Sequence, residues 1–240
     1  MKILVTGGAS GLGKAVTEKL AVLDGSHIFI TYSSSDKNAG ELEGKYKNVK
    51  AVKCNFSSEN DLKNLVDLIQ KEGIDILVNN AYSTKIDRNY FHKTNTDTFV
   101  SGFKQNVIPV IQITQAAINV FRKKKFGKII TVLSATLANK PPMGYSEYTA
   151  NKAYLLSLSK SWAGENAAFN ITSNCVSPAF MQTELTADTD ERIVEEMQSN
   201  HPLKKLLTTG EVADVVAFLC NSSQQINGVN IPVNGAQNVF

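Results

Sequence analysis

Short runs rich in β-branched residues alternate with segments of helical periodicity along almost the whole chain of 240 residues. The helical segments include Leu12–Val22, Leu62–Gln70 and Val212–Leu219. Strands and helices that alternate in this way form a parallel sheet with helices on both faces. The sequence therefore predicts an α/β fold: one doubly wound, Rossmann-type domain over residues 1–240, with a seven-stranded parallel sheet flanked by helices. The predicted strands are Ile3–Thr6, His27–Tyr32, Val49–Cys54, Ile74–Asn79, Lys128–Leu133, Ile171–Val176 and Val229–Val233.

Charge and hydropathy exclude several classes of partner. The chain has 25 lysines and arginines against 22 aspartates and glutamates, and a net charge of +3 is too small for the usual footprint of a nucleic-acid or membrane-surface protein. Its apolar stretches are far shorter than the roughly 20 residues that span a bilayer, and its N-terminus lacks the pattern of a signal peptide. Cys54, Cys175 and Cys220 lack ligand spacing, so no disulfide framework or metal site is expected. We expect a cytoplasmic protein that binds no metal, nucleic acid or membrane.

One segment interrupts the alternation. Residues 183–206 are polar, acid-rich around Thr186–Glu196 and without a predicted strand. Ligands of open α/β sheets bind outside the carboxyl ends of the strands, so an insertion after a late strand can cover them. We predict a substrate lid at about residues 183–206, with Phe180, Met181 and Met197 in the pocket wall. Such flexible apolar side chains accept substrates of many shapes.

The first predicted strand runs into a glycine-rich loop over residues 7–13. Glycines let the backbone approach a pyrophosphate, whose charge the N–H groups and dipole of the following helix stabilise. At the start of a βαβ unit this pattern predicts dinucleotide binding. The spacing Thr-Gly-x3-Gly-x-Gly, from Thr6 to Gly13, resembles that of the short-chain dehydrogenase/reductase family. The loop residues expected to bind the coenzyme are Gly7, Ser10, Gly11, Leu12 and Gly13.

The end of the second predicted strand bears on the choice of coenzyme. An acid about 20 residues after the glycine loop would bind the adenosine ribose of NAD, but no acid lies between residues 28 and 35. Instead, Tyr32, Ser33 and Ser34 offer hydroxyl groups and Lys37 offers a cation, which suit the 2′-phosphate of NADP. Ser10 stands where many NADP-preferring members of the resembling family carry a basic residue. We predict NADP(H) in preference to NAD(H).

Tyr148 and Lys152 form the most informative pair in the sequence. In a helix, residues four apart share a face, so the phenol and the ammonium can point into one cleft. The reference pKa of tyrosine is ~10. An ammonium ~4 Å away favours the phenolate by ~4 kcal/mol, or ~3 pKa units, and desolvation reduces that effect. The spacing therefore predicts a pair whose phenol titrates near pH 7 and can transfer a proton.

The resemblance to the family supplies two further catalytic candidates. A serine at the end of the strand before this helix binds the substrate carbonyl in that family, and Ser134 holds this place. The Ser134 to Tyr148 spacing is one residue longer than is usual there, which leaves Thr136 as an alternative to Ser134. Asn106 matches the helical asparagine that holds a water beside the catalytic lysine, here Lys152.

Other matches extend over essentially the whole chain, with four departures. Tyr82, Ala179 and Ala236 replace family glycines, which puts local loop geometry in question at Tyr82 and Ala179. Asn55 replaces an aspartate that usually contacts adenine. Besides Tyr148 and Lys152, the resemblance implies coenzyme contacts from Asn55, Asn80, Ala81, Pro178 and Thr183.

These residues imply an NAD(P)(H)-dependent oxidoreductase that transfers a hydride between nicotinamide and a carbonyl or alcohol. The resemblance points to 3-oxoacyl-[acyl-carrier-protein] reductase-like members, with a small carbonyl compound or an acyl thioester as substrate. Tyr148 is the proton donor, Lys152 lowers its pKa and holds the ribose, Ser134 polarises the carbonyl and Asn106 anchors a water.

Two alternatives stay open. Tyr145 lies seven residues before Lys152, a spacing that resembles enoyl-thioester reductases. A non-catalytic dinucleotide-binding sensor would keep the fold without needing a tuned phenol.

The helix that carries the catalytic pair also bears on assembly. Leu155 and Trp162 help to make this helix apolar around much of its circumference, which requires burial. Members of the resembling family pack it against a second copy, so we predict a homotetramer or a homodimer. The basic run Arg122–Lys125 is typical of a helix C-terminus and hints weakly at docking of an acidic carrier, whereas Phe169 argues against that partner.

Overall fold

The computed structural model follows the predicted alternation and describes residues 1–83, 86, 88–138 and 140–237. The strands are β1 (Lys2–Val5), β2 (His27–Tyr32), β3 (Val49–Lys53), β4 (Ile76–Asn79), β5 (Gly127–Val132), β6 (Ile171–Pro178) and β7 (Asn230–Val233). The α-helices are α1 (Gly11–Ala21), α2 (Asp36–Lys45), α3 (Glu59–Glu72), α4 (Thr96–Asn106), α5 (Ile108–Lys124), α6 (Ser146–Asn166), α7 (Glu191–Asn200) and α8 (Thr209–Asn221). Short 3-10 helices cover Phe91–Lys93, Ala135–Leu137, Ala167–Phe169 and Glu184–Thr186.

All strands of the sheet are parallel, in the order β3-β2-β1-β4-β5-β6-β7. The predicted seven-stranded parallel sheet is therefore confirmed. The chain first adds strands on one side of β1 and then, from β4 onwards, on the other. In open α/β sheets this reversal leaves a crevice outside the carboxyl ends of the strands, where ligands bind.

Side chains alternate along β1 and divide the core into two layers. Ile3 and Val5 lie in one buried cluster with Val16 of α1 and residues of α8. Leu4 lies in the other cluster, with Phe121 of α5 and residues of α3. Burial of each large aliphatic side chain contributes ~1.5–3 kcal/mol. A strand that is buried on both faces in this way is typical of a parallel sheet between two layers of helices.

Local sequence explains where several helices begin and end. At the start of α3 the Ser58 hydroxyl accepts a hydrogen bond from the Asp61 N–H at 3.2 Å, and at its end Gly73 has a left-handed φ of 65°. At the start of α8, Thr208 and Glu211 form a reciprocal capping box. Such caps satisfy N–H and C=O groups that have no partner inside the helix.

The end of β6 differs from its predicted position. The prediction ended this strand at Val176, but it continues to Pro178 because Ser177 and Pro178 pair with Pro232 and Val233 of β7. The hydrophobic pattern of one strand does not reveal how far its neighbour extends. Among the described helices, none is both long and apolar enough to cross a bilayer.

The three alanine or tyrosine residues at family glycine positions have different backbone conformations. Ala236 has a φ of 64°, in the left-handed region, whereas Tyr82 and Ala179 are not among the described non-glycine residues with positive φ. A left-handed conformation costs an L-residue ~1–2 kcal/mol. Loop strain from a lost glycine therefore arises at Ala236 and not at Tyr82 or Ala179.

Candidate active site

A cavity of about 830 Å³ lies at the carboxyl ends of the strands, between the glycine-rich loop and the start of α6. Every predicted site residue except Asn106 lines it. The structure thus brings the predicted coenzyme and catalytic residues to one place, although they come from the ends of six different strands and from the segments that follow them. These residues are Gly7, Ser10, Gly11, Leu12, Gly13, Tyr32, Ser33, Ser34, Asn55, Asn80, Ala81, Ser134, Tyr148, Lys152, Pro178 and Thr183.

Hydrogen bonds from two neighbouring strands hold the glycine-rich loop. The Asn80 side-chain amide donates to the carbonyls of Thr6 and Gly7 at 3.0 and 3.2 Å. The Thr6 hydroxyl accepts from the N–H groups of Asn80 and Ala81 at 3.0 and 3.1 Å. The Gly7 N–H donates to Thr31 Oγ1 at 3.0 Å. The loop is therefore fixed by contacts that the sheet order brings together.

The conformation of this loop fits a dinucleotide. Gly7 and Gly11 have left-handed φ angles of 64° and 48°. A Cβ atom at Gly13 would collide with the Gly7 carbonyl oxygen. Ser10 precedes α1 in an extended conformation and, among the described residues, its side chain makes no capping bond to that helix. The N–H groups of the first turn are thus available to an anion, which is what a pyrophosphate requires.

Hydroxyl groups line the part of the cavity beside β2, and a lysine that the sequence did not indicate lies nearby, outside the described lining residues and paired with an acid. Ser33–Ser35 line the cavity directly before α2. Lys53 of β3 lies opposite Tyr32 in the sheet register, with its Nζ 6.0 Å from the Tyr32 ring centroid and 2.8 Å from Asp36 Oδ1. Lys37, the predicted cation, is exposed and is not among the described lining residues. Only the pairing of β2 with β3 brings Lys53 here.

Tyr148 and Lys152 lie one turn apart near the start of α6, and both are buried, with 9% and 5% of their surface exposed. Lys152 Nζ is 5.7 Å from the Tyr148 ring centroid and donates to the Val132 carbonyl oxygen at 2.8 Å. Both side chains line the cavity that also contains the glycine-rich loop. The structure therefore places the phenol, the ammonium and the glycine-rich loop together.

Burial dominates the protonation of this pair. It raises the pKa of Tyr148 to about 12, although hydrogen bonding with Ser134 acts in the opposite direction. It lowers the pKa of Lys152 to about 8. The prediction that the phenol titrates near pH 7 is wrong for this arrangement, because the ammonium is directed to the Val132 carbonyl and the phenol is almost fully desolvated. At neutral pH the phenol keeps its proton and the lysine keeps its charge.

Hydroxyl groups beside the phenol form a short chain. Ser134 Oγ accepts bonds from the Thr136 N–H at 3.2 Å and from Thr136 Oγ1 at 3.1 Å. Thr149 Oγ1 in turn donates to Thr136 Oγ1 at 3.4 Å. Since the Thr136 hydroxyl donates to Ser134, the Ser134 proton is left to point toward the phenol or toward a substrate. This arrangement favours Ser134 over Thr136 as the group that contacts a carbonyl.

Asn106 lies behind the cavity and is not among the described residues that line it. Its side-chain oxygen accepts from the Ser83 N–H at 2.7 Å, and its amide donates to the Gly102 carbonyl at 3.1 Å. Asn106 thus holds the loop after β4 against α4. Its predicted role as an anchor for a water stays a prediction.

Three side chains near the phenol have contacts that sequence reasoning did not identify. Tyr82 packs edge to face on Tyr148 with ring centroids 5.1 Å apart. Tyr145 also packs edge to face on Tyr148, with ring centroids 6.0 Å apart. Glu147, 5% exposed, accepts a bond from the Tyr82 hydroxyl at 3.3 Å and another from the Asn151 amide. The sequence signal for Tyr82 was its place at a family glycine, but nothing in the sequence showed what it contacts.

The predicted lid segment, residues 183–206, contains the last of the 3-10 helices and α7. Its first residues line the cavity. Arg88, in the loop after β4, donates to Asp188 Oδ1 at 2.9 Å and to Thr189 Oγ1 at 3.0 Å, so two distant segments meet at Asp188, which lines the cavity. The cavity wall includes the three apolar residues predicted for it, Phe180, Met181 and Met197.

Comparison with known sequences agrees with this geometry. A family model described as Enoyl-(Acyl carrier protein) reductase matches residues 7–236. The 3-oxoacyl-[acyl-carrier-protein] reductase FabG of Aquifex aeolicus is 35% identical over 240 residues, covering 97% of this chain and 95% of that protein. Nodulation protein G of a Rhizobium species is 32% identical over 240 residues, covering 98% and 95% respectively.

Solved structures with the same fold include a short chain dehydrogenase/reductase family protein, with a TM-score of 0.85, 26% identity and coverage of 98% of this chain and 96% of that one. An actinorhodin polyketide ketoreductase variant with NADPH has a TM-score of 0.89 at 20% identity, covering 100% and 97%, and at that identity the likeness concerns the fold alone. The chain thus belongs to the short-chain dehydrogenase/reductase family, the nicotinamide-dependent oxidoreductases that its glycine-rich loop and its Tyr148 and Lys152 pair resemble.

Proposed function

We propose that the protein reduces the ketone of a 3-oxoacyl thioester, or of a related small carbonyl compound, with NADPH. One observation carries this proposal: the phenol of Tyr148, the hydroxyl of Ser134 and the ammonium of Lys152 line the same cavity as the glycine-rich loop. The relatives named as 3-oxoacyl-[acyl-carrier-protein] reductases support the substrate class. The cavity of about 830 Å³ is large enough for a dinucleotide together with the end of an acyl chain.

The residues around the phenol explain how a ketone would be reduced. A bound nicotinamide coenzyme supplies the hydride that reduces the carbonyl carbon. Ser134 donates a hydrogen bond to the carbonyl oxygen and Tyr148 donates its proton to that oxygen as negative charge develops there. The Lys152 ammonium stabilises the phenolate that remains. Because burial keeps the phenol protonated at neutral pH, the proton is present when the oxygen becomes basic enough to take it.

The coenzyme preference rests on the surroundings of β2. Ser33–Ser35 offer hydroxyl groups at the start of α2, and Lys53 brings a cation beside Tyr32. A 2′-phosphate would find hydroxyl donors there, and Lys53, which is bonded to Asp36 Oδ1 at 2.8 Å, would have to leave that carboxylate to reach it. Residues 28–35 offer no carboxylate to a ribose hydroxyl. We expect Ser33→Asp to weaken NADPH binding by at least about tenfold through charge repulsion. Ser33→Asn is the control of similar volume; equal loss in both variants would contradict the electrostatic explanation.

Reduction of an enoyl thioester is the second candidate. The description of the matching family model supports this candidate. So does Tyr145, which lines the cavity and has its ring centroid 6.0 Å from that of Tyr148. The two candidates place the proton donor on different residues. Ser134 hydrogen bonds with Tyr148, which favours ketone reduction.

A substrate panel with both coenzymes separates these candidates. We expect oxidation of NADPH by a 3-oxoacyl thioester and a loss of turnover of about 100-fold or more in Tyr148→Phe, because the proton donor is removed. Tyr145→Phe should stay within about threefold of wild type. Turnover of the enoyl thioester alone, lost in Tyr145→Phe, would reverse the assignment. Coenzyme binding without turnover of any substrate would favour the sensor.

The remaining expectations concern assembly, location and the lid. Val100 of α4 and Tyr154 of α6 expose 53% and 44% of their surface, and Phe103 packs against Tyr154 with ring centroids 5.0 Å apart. These apolar groups on α4 and α6 support a homotetramer or homodimer built on that face.

We further propose that the protein is cytoplasmic and that residues 183–206 move as a lid over the substrate.

A further inference from the structure

Tyr82, one of the departures from the family pattern, contacts both residues of the catalytic pair. It follows β4 at a family glycine position, lines the cavity, and packs edge to face on Tyr148 at 5.1 Å between ring centroids with an interplanar angle of 68°. A glycine would leave this side of the phenol without a neighbour from residue 82. The bulky ring therefore changes the surroundings of the reacting groups.

The ring also faces the ammonium. Lys152 Nζ lies over the Tyr82 ring, 5.3 Å from its centroid, while it donates to the Val132 carbonyl at 2.8 Å. An ammonium within about 6 Å of an aromatic face is attracted by the negative charge of that face, more strongly when the pair is desolvated. Lys152 is 5% exposed, so this attraction acts on a largely desolvated ammonium. The ring of Tyr82 thus favours the charged form of the lysine against the cost of burial.

A second contact sets the orientation of the ring. The Tyr82 hydroxyl donates to Glu147 Oε2 at 3.3 Å, and Glu147 Oε1 accepts from the Asn151 amide. Glu147 and Asn151 belong to α6, the helix that carries Tyr148 and Lys152. Gly102 of α4 leaves room for the Glu147 carboxylate, because a Cβ atom there would collide with Oε1. The loop after β4 is therefore bonded to the helix that it must face.

We propose that Tyr82 is a positioning residue whose ring keeps the Lys152 ammonium charged and beside the Tyr148 phenol, a role that rests on the proposed function. In the described part of the chain, the titratable groups around Lys152 are Tyr148 on α6, Cys175 on β6 and Tyr82 itself, with Glu147 bonded to the Tyr82 hydroxyl. Burial lowers the pKa of Lys152 to about 8, close enough to neutrality for a modest change in its surroundings to alter its charge.

The test compares two substitutions of nearly the same shape. Tyr82→Phe keeps the ring and its negative face, whereas Tyr82→pentafluorophenylalanine keeps the shape and reverses the charge of the face. The titration of Lys152 is followed by NMR of the ¹³C-labelled lysine side chains in the full chain without coenzyme, with Lys152→Met identifying the signal. We expect the Lys152 pKa in the fluorinated variant to lie about 0.5–1.5 units below that in Tyr82→Phe.

With NADPH as coenzyme and a 3-oxoacyl thioester as substrate, the alkaline limb of the pH profile of kcat/KM should shift to lower pH by the same number of units. An equal Lys152 pKa in the two variants would overturn the proposal. If that shared pKa were lower than in the wild type, the hydroxyl of Tyr82 and not its ring would be responsible. The NMR titration needs no turnover, so it separates a failure of this inference from a failure of the proposed function, which Tyr148→Phe tests.

Discussion

The two ends of the cavity are held by different kinds of contact. At the coenzyme end, backbone groups of the glycine-rich loop bond to side chains near the carboxyl ends of two strands, Thr31 within β2 and Asn80 just after β4. At the substrate end, side chains from separate segments meet, as Arg88 does with Asp188 and Tyr82 with Glu147. At the first end, side chains from neighbouring strands hold the main chain of a loop whose glycines set its conformation. At the second end, side chains bond to other side chains, and such contacts can change by single substitutions without loss of the fold.

The largest expected effect comes from adding a methyl group to the coenzyme end. In Gly13→Ala the new Cβ would collide with the Gly7 carbonyl oxygen, so the loop must move. We expect NADPH to bind about 100-fold more weakly, equivalent to ~2.7 kcal/mol, as measured by coenzyme fluorescence. Gly164→Ala is the control, because it also lies in a helix but meets no atom within 4 Å. If Gly13→Ala bound NADPH as Gly164→Ala does, the coenzyme end would be less constrained than the structure indicates.

Lys152 lies between the two ends, and its burial opposes stability. Its pKa falls from an ordinary value of 10.5 to about 8, which corresponds to ~3 kcal/mol of cost for the charged form. Lys152→Met removes that cost but leaves the Val132 carbonyl without its donor, at ~1–2 kcal/mol. We expect turnover to be lost while the free energy of unfolding at pH 7 rises by ~1–2 kcal/mol.

The expected gain in the unfolding free energy of Lys152→Met becomes smaller as the pH rises. The folded protein releases the lysine proton at a lower pH than the unfolded chain does, so the cost is complete below about pH 8 and disappears as the pH rises toward 10.5. Urea unfolding of the wild type and of Lys152→Met at pH 7 and pH 10.5 measures this difference in unfolding free energy. A variant that is less stable than wild type at pH 7 would show that Lys152 contributes more to packing than its burial costs.

A backbone angle distinguishes the glycine-rich loop from the segment at Ala236. The left-handed positions of the glycine-rich loop, at residues 7 and 11, are glycines, whereas Ala236 has a φ of 64° beside the cavity residue Gln237. We expect Ala236→Gly to stabilise the protein by ~1 kcal/mol, seen as a rise in Tm of a few degrees. Ala153→Gly, on the exposed side of α6, should instead destabilise it by ~0.5–1 kcal/mol. Destabilisation by both changes would mean that Ala236 is not strained.

The smallest effect concerns the ion pair over the substrate end. Asp188→Asn keeps the shape of the side chain but removes the charge that Arg88 contacts at 2.9 Å. An exposed ion pair contributes ~0.2–1 kcal/mol, so KM for the ketone should rise about threefold with little change in kcat. Asp214→Asn is the control, since it breaks a similarly exposed pair with Lys19 on α1 and should leave KM unchanged. An equal change in both variants would remove the argument that Arg88 and Asp188 hold the lid.

The sequence identified residues of the glycine-rich loop that line the cavity, because these residues lie close together within one βαβ unit. That they bind the coenzyme stays a prediction. Lys53 was missed because it reaches Tyr32 through the β2 and β3 register and not through proximity in sequence. The role of Asn106 was inferred by resemblance alone, and the structure places it behind the cavity wall. The protonation of Tyr148 was misjudged because spacing gives proximity and not burial.

The sequence by itself determined the order of strands and helices, the dinucleotide loop and the pairing of Tyr148 with Lys152 on one helix face, because each depends on the local periodicity of the backbone. Tertiary structure alone decided that Lys152 is directed to Val132, that Tyr82 faces the ammonium, and that Arg88 meets Asp188. These contacts join segments that are distant along the chain, and only folding sets the distances and the dielectric surroundings that govern charge in the site.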